Sequence, residues 1–600
     1  MASQSAPLLT VGEQGETVFD HEDGSQVEDM KQDPQCYSNA RKRTIYRPTL
    51  LIFVMLILVF AYFLTYASYR PTMIFYESTT TSFLSSSDLN NTAGSLHFAS
   101  YFSDHMVLQM HPTSSILWGR AAAGSKVTVY FNGKGYIAKT KPGNNPASVF
   151  WRVILDPTPP GGPYNISVQS LHEENTAETK VLQDVLFGDV WFCGGQSNMA
   201  FPVHSAFNAS DILSKASNYP NIRLLSVAHG KSETPLHDLS FQNEPWMLPS
   251  RESLGGDPDV DQQFSAVCYI FGTEMQSQLG YPIGLISDSI GGTNIQAWST
   301  PEVIKKCLNS SSVVIPPKHQ YHWKDSCLWN SMVHPLLNFT IKGVLWYQGE
   351  ANWEEPERYS CLFPGMVNDW RKKWYEGTEG NTDPMFPFGF VQVCIAKVQD
   401  DEYCDKYCDF ASLRWAQTAG YGYAPNPVLQ NVFMAVSVDL PDPTSPYRPI
   451  HPRHKQDIAH RLYLGARALA YSETETIYRG PFPKEICDTS SHQIKVKYQF
   501  DNIKLLSEDI FEVYCSENTS SEEEEEADSE DGWIRVNQVI KTDSTSLMLT
   551  YKCPGNILAT SLRYIWKDNP CEFKKCAVYG EKSDLPGPPF KLKVNSSCIL

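Results

Sequence analysis

The sequence predicts an α/β fold in which a parallel sheet carries helices on both faces, flanked by β-rich accessory modules and preceded by an N-terminal transmembrane helix. Three observations predict it. Thr49 opens and Ala67 closes a stretch of nineteen residues without a charge, TLLIFVMLILVFAYFLTYA, long enough to cross the hydrocarbon layer as a helix. Between Asp189 and Tyr471, runs that read as buried strands alternate with helical spacing of apolar residues, the pattern that builds a parallel sheet under helices. On either side of that stretch the chain shows short β-type runs punctuated by turn residues.

The elements follow in order. Arg41, Lys42, Arg43 and Arg47 precede the apolar span and only Arg70 follows it closely. The positive-inside bias then makes residues 1–48 a cytosolic tail and residues 49–69 a single-pass signal anchor, with everything beyond it luminal or extracellular. The tail carries Leu8-Leu9, a candidate sorting dileucine, although Gln4 stands where an acid would strengthen it. Lysosome or endosome, Golgi and cell surface all remain open as destinations. Residues 70–96, rich in Ser and Thr, read as a stalk, and residues 97–186 as a β-sandwich-like module. That module rests on the runs at 127–131 and 151–155 and on the turn Pro159-Pro160-Gly161-Gly162-Pro163. Residues 187–472 hold the α/β unit, with strands expected at 189–193, 281–287, 341–346 and 432–438 and helices at 263–279 and 455–471. Residues 473–600 return to β-type runs at 492–500, 510–513 and 546–551, interrupted by an acidic loop near 519–531.

Charge and cysteine usage narrow the function. The net charge of −18 provides no general basic surface, which argues against nucleic acid as a partner. Of fifteen cysteines only Cys36 precedes the apolar span, leaving an even number suited to disulfides in an oxidising compartment. None has the spacing and neighbouring histidines of a zinc site, so no metal is implied, and Cys404/Cys408 and Cys571/Cys576 read as disulfide partners, local or distant. Seven glycosylation sequons, at Asn90, Asn165, Asn208, Asn309, Asn338, Asn518 and Asn595, lie on the same side of the span.

In open α/β sheets the ligand site lies beyond the carboxyl ends of the strands. Four polar clusters fall there: Ser197 in Gly194-Gly195-Gln196-Ser197-Asn198-Met199, Gly292 in Gly291-Gly292-Thr293-Asn294, Gln348 and Glu350 around Gly349, and His451 in Ile450-His451-Pro452-Arg453-His454-Lys455. An acyl-transfer site needs a nucleophile, a base to take its proton and donors for the oxyanion. Ser197 and His451 fit the first two roles, and the Ser197 and Gly292 amides with the Gln348 side chain fit the third. Asn198 and Glu350 stand beside them as candidate substrate contacts.

The chain resembles the sialate O-acetylesterases, a branch of the SGNH-type esterases, from about His97 to the C-terminus. The residues that carry the resemblance are Asp104-His105-Met106-Val107-Leu108-Gln109, Gly188-Asp189-Val190-Trp191, Gly195-Gln196-Ser197-Asn198-Met199, Tyr281-Pro282-Ile283-Gly284-Leu285-Ile286, Gly291-Gly292-Thr293, Ile295-Gln296-Ala297-Trp298, Trp346-Tyr347-Gln348-Gly349-Glu350, His451-Pro452-Arg453, Lys455-Gln456, Leu585-Pro586 and Pro588-Pro589-Phe590. It implies an SGNH-like sheet and cofactor-free removal of O-acetyl groups from sialic acids and sialoglycans. The acetyl would pass through an ester on Ser197, with His451 as general base and then general acid. Acetylated xylan as substrate and non-catalytic glycan binding are the alternatives. Many esterases of this kind place an Asp two or three residues before the histidine, where this chain has Pro449 and Arg448. The orienting acid is then Asp439 or Asp442, or the pair is a Ser-His dyad held by a backbone carbonyl.

Overall fold

A computed structural model describes residues 95–600 except 144–145, 173–176, 241–244, 257–262, 309–322, 395–408, 491, 508–509, 517–531, 597 and 599–600. The apolar span and its flanking tail, Asn90, Asn309, Asn518, the acidic loop, Cys404 and Cys408 lie outside the described residues. Among the described residues no helix is long and apolar enough to cross a membrane.

The centre is a sheet of six parallel strands: β1 (Ala177–Gly195), β2 (Ile222–Ser226), β3 (Ile283–Ser289), β4 (Gly343–Tyr347), β5 (Phe388–Gln392) and β6 (Val432–Val436), in the order β2-β3-β1-β4-β5-β6. β4, β5 and β6 are buried at every residue, which suits strands covered on both faces. The cover can be read from two adjacent side chains of β1, which must point to opposite faces. Trp191 meets Phe271 of helix α2 (Ala266–Leu279; α1 is the short Ser197–Ala200) at 5.0 Å between ring centroids. Phe192 meets Trp370 and Trp374 of helix α3 (Pro356–Gly377) at 5.7 and 5.5 Å. Helix α4 (Lys455–Ala470) packs beside α2 and against β6.

β1 belongs to two layers. Its first half pairs antiparallel with Gly161–Leu171 in the N-terminal β region, and its last five residues lie between β3 and β4. Asp189 anchors the junction: Gln109 donates to one carboxylate oxygen at 2.7 Å, and the Tyr281 and Tyr471 hydroxyls donate to the other at 2.9 and 2.8 Å. Beyond α4, the chain forms two four-stranded antiparallel sheets and a two-stranded ribbon.

Five disulfides occur among the described residues: Cys193–Cys268, Cys307–Cys361, Cys487–Cys598, Cys515–Cys553 and Cys571–Cys576. The first fixes the end of β1 to α2 immediately before Gly194. Cys327 and Cys394 are buried thiols. Asn165, Asn208 and Asn595 are exposed and Asn338 is half-buried.

Candidate active site

β1 ends on Gly195, whose φ of +141° and close approach explain the glycine. A Cβ there would stand 2.2 Å from the Tyr347 carbonyl oxygen of β4. The chain turns at once into α1, and Ser197, as its first residue, has an N–H with no acceptor inside the helix. Its hydroxyl meets His451 Nε2 at 2.8 Å, across 254 residues of sequence.

His451 Nδ1 lies 2.6 Å from the Tyr447 carbonyl oxygen. A carbonyl only accepts, so Nδ1 carries the hydrogen and Nε2 is left bare to take the Ser197 proton. Burial pushes the imidazole pKa below the ordinary histidine value; the Tyr447 carbonyl opposes this, and the charges of Lys455 and Arg448 push it down further. A base must be neutral, so activity rises as pH rises through that lowered pKa. The acid limb of kcat/KM is expected below about 6.5, the value of free histidine. A limb above that value would contradict this environment.

Gly291 and Gly292 turn beside the serine: a Cβ on Gly291 would lie 3.4 Å from Ser197 Cβ, and Gly292 has a φ of +69° with open space before it. Their neighbour Thr293 is pinned by its hydroxyl, which donates to the Ile290 carbonyl at 2.9 Å.

Three sequence expectations are corrected by the side-chain geometry. Gln348 is fully buried, and its amide donates to the Thr293 carbonyl at 3.2 Å and to Asn352 Oδ1 at 2.8 Å, while its carbonyl accepts from the Tyr359 hydroxyl at 3.0 Å. Both hydrogens are spent, so it braces the glycine turn and donates nothing to an oxyanion. Gln348→Ala is expected to cost less than about tenfold in kcat but to lower Tm, since buried partners lose their bonds; a loss of roughly 10²-fold or more would restore it to the oxyanion hole.

Neither Asp439 nor Asp442 faces His451. Asp439 is fully buried in a two-pronged pair with Arg461, at 2.6 and 2.9 Å, and accepts from Tyr579 of the C-terminal region at 3.1 Å. Asp442 takes the Arg453 guanidinium at 2.6 and 2.9 Å. Each carboxylate is claimed by an arginine from the segment that follows the histidine. Asp439→Asn is expected to destabilise by about 3–5 kcal/mol, by leaving Arg461 buried and unpaired, while the folded fraction keeps its kcat. A kcat loss at unchanged stability would instead make Asp439 a catalytic acid.

Asn198 and Glu350 are buried at 0% and 3% exposure, which removes them from direct substrate contact. They form the floor of the site instead. Asn198 Nδ2 donates to Glu350 Oε1 at 2.5 Å and to the Ile450 carbonyl at 2.9 Å, tying the serine turn to the residue before the histidine. Its Oδ1 accepts from Lys455 Nζ at 2.7 Å. Burial pushes the Lys455 ammonium down to about 7 and raises Glu350, while the attraction between the two opposes both shifts. Sequence reasoning missed Lys455 as part of the floor; the available signal was its place four residues after His451 at a helix start.

A serine hydroxyl on a bare imidazole nitrogen, at the carboxyl edge of a parallel sheet, is the arrangement found in serine hydrolases of the ester-cleaving class. Comparison with known proteins narrows the class. Residues 187–377 match the family model of carbohydrate esterases described as sialic acid-specific acetylesterase, and residues 484–594 match that of the sialate O-acetylesterase C-terminal domain. The sialate O-acetylesterases of Pongo abelii and Homo sapiens are each 40% identical over 508 residues, covering 82% of this chain and 92% of theirs. The chain belongs to the sialate O-acetylesterase family. A solved carbohydrate acetylesterase from Xanthomonas citri shares the fold, with a TM-score of 0.64, 24% identity and coverage of 83% of this chain and 99% of that one.

Proposed function

We propose that Ser197 and His451 are the dyad with which this enzyme hydrolyses O-acetyl esters on sialic acids. The observation that carries the assignment is the 2.8 Å contact between Ser197 Oγ and His451 Nε2. His451 takes the serine proton as Oγ attacks the acetyl carbonyl, and the Ser197 and Gly292 amides receive the oxyanion. Collapse of the tetrahedral intermediate breaks the bond to the sugar oxygen, which leaves with the proton from His451. Water, deprotonated by the same imidazole, then releases acetate from Ser197. The Tyr447 carbonyl holds the imidazole tautomer that an Asp fixes in a triad; as a dipole it stabilises imidazolium less than a full charge would. No cofactor enters these steps. The fold and the serine turn support the SGNH-type reading of the sheet.

Acetate release from 9-O-acetylated sialic acid, measured against an acetylated xylooligosaccharide, tests the substrate. The sialic acid ester is expected to be the faster by kcat/KM; preference for the xylan ester would overturn it. We propose also that residues 49–67 anchor the chain with its esterase domain in the secretory lumen or outside the cell. The uncharged length of that stretch, the basic residues before it, the five disulfides and the exposed sequons support this topology. Antibody access to a C-terminal tag in intact cells, or its glycosidase sensitivity, tests the orientation.

A further inference from the structure

The segment that delivers His451 carries three cations, and two are held where they stand. Arg453 is held by Asp442, and Lys455 is buried on Asn198 with the Glu350 carboxylate behind it. The third, Arg448, is exposed, and among the described residues no carboxylate is paired with its guanidinium. Its backbone has a φ of +74°, a left-handed conformation disfavoured for a residue with a Cβ. The turn is nevertheless well held. His451 N–H donates to the Arg448 carbonyl at 2.9 Å, Ser445 Oγ donates to the His451 carbonyl at 2.7 Å, and the Tyr447 ring stands edge-on to Phe201 at 5.3 Å.

The Arg448 backbone is thus pinned three residues before His451 by the bond from the histidine N–H, and its charge bears on the imidazole. An uncompensated cation there works against the imidazolium that the reaction must form. The substrate offers compensation, because sialic acid carries a carboxylate that is ionised wherever His451 is neutral. The long stem of an arginine can reach a carboxylate removed from the reacting ester, and its planar fork matches that group. We propose that Arg448 is a specificity-determining residue at the mouth of the Ser197 site, binding the sialic acid carboxylate while the acetyl group lies on the serine. The proposal rests on the Ser197–His451 reading of the site.

The test compares Arg448→Gln and Arg448→Lys on three substrates: O-acetylated sialic acid, its carboxyl methyl ester and p-nitrophenyl acetate, with kcat and KM separated. Arg448→Gln is expected to raise KM for the free acid roughly three- to tenfold, in line with an exposed to partly buried charge pair. KM for the methyl ester should change far less, and Arg448→Lys should recover part of the loss. A free-acid to methyl-ester ratio of kcat/KM that Arg448→Gln leaves unchanged overturns the proposal, as does an equal loss on all three substrates. Ser197→Ala, assayed alongside, keeps the two readings apart: retained turnover there would defeat the dyad, whereas an inactive Ser197→Ala with an unchanged Arg448→Gln ratio would defeat only the role of Arg448.

Discussion

Ser197→Ala is expected to slow release of acetate from O-acetylated sialic acid by at least about 10⁴-fold in kcat, with Tm close to that of the unaltered enzyme. Among the described residues, the serine hydroxyl is the one group hydrogen-bonded to the bare His451 nitrogen. Without it the imidazole has no proton to take, and the acetyl group has no side chain to join. What survives is the rate due to positioning and the oxyanion amides, which act on a water attack as well. The fold should tolerate the change, because Ser197 is half-buried and the turn is built by Gln196, Asn198 and Gly195 rather than by the hydroxyl. The Gln196 N–H donates to the Tyr347 carbonyl at 3.0 Å, and Asn198 secures the far side. A loss of less than about tenfold would remove Ser197 from the chemistry.

His451→Gln is expected to cost about 10³-fold or more in kcat, and the cost should persist at every pH at which the fold is intact. Glutamine keeps a polar side chain near Ser197 Oγ but cannot store a proton between the two halves of the reaction. Because nucleophile and base act as one unit, Ser197→Ala combined with His451→Gln should be little slower than the worse single variant. Additive losses would mean that the two residues act in separate steps. The chemistry of the dyad further predicts that no carboxylate substitution approaches this loss on the folded enzyme, since His451 Nδ1 is satisfied by a backbone carbonyl.

Much of the sheet was legible because its strands are short, apolar and flanked by turn residues. The expected strand at 281–287 forms at Ile283–Ser289, that at 341–346 at Gly343–Tyr347, and the helix at 455–471 at Lys455–Ala470. Two central elements are hidden in the sequence. Helix α3 carries Tyr359, Leu362, Phe363, Met366, Val367 and Trp370 at helical spacing, but Pro364 and Gly365 in its interior mask the pattern. β5 is five residues long behind Pro387, and an apolar run that short is ambiguous without its neighbours.

In the site, the residue types that do chemistry were visible at strand ends, whereas their partners were not. Asp439 and Asp442 were natural candidates because they precede His451 closely in sequence. Arg461 and Arg453, brought back by α4 and its approach, take both carboxylates before the histidine can. Gln348 sits at the right strand end, yet Asn352 one helical turn later consumes its amide. A lysine at a helix start reads as solvated; only the packing of Phe201 and Tyr347 around the Lys455 ammonium, at 4.6 and 5.1 Å from their ring centres, reveals it as buried. The partner of His451 Nδ1 is a main-chain oxygen, which no pattern of side chains can announce.

The most direct measurement is to mix the enzyme with O-acetylated sialic acid, quench in acid within the first turnovers and locate any acetyl group by peptide mass mapping. The dyad predicts one acetyl group, on the hydroxyl of Ser197, absent from the Ser197→Ala enzyme. De-O-acetylated sialic acid released in a burst with the acetyl group on any other residue, or normal turnover by Ser197→Ala, would contradict it.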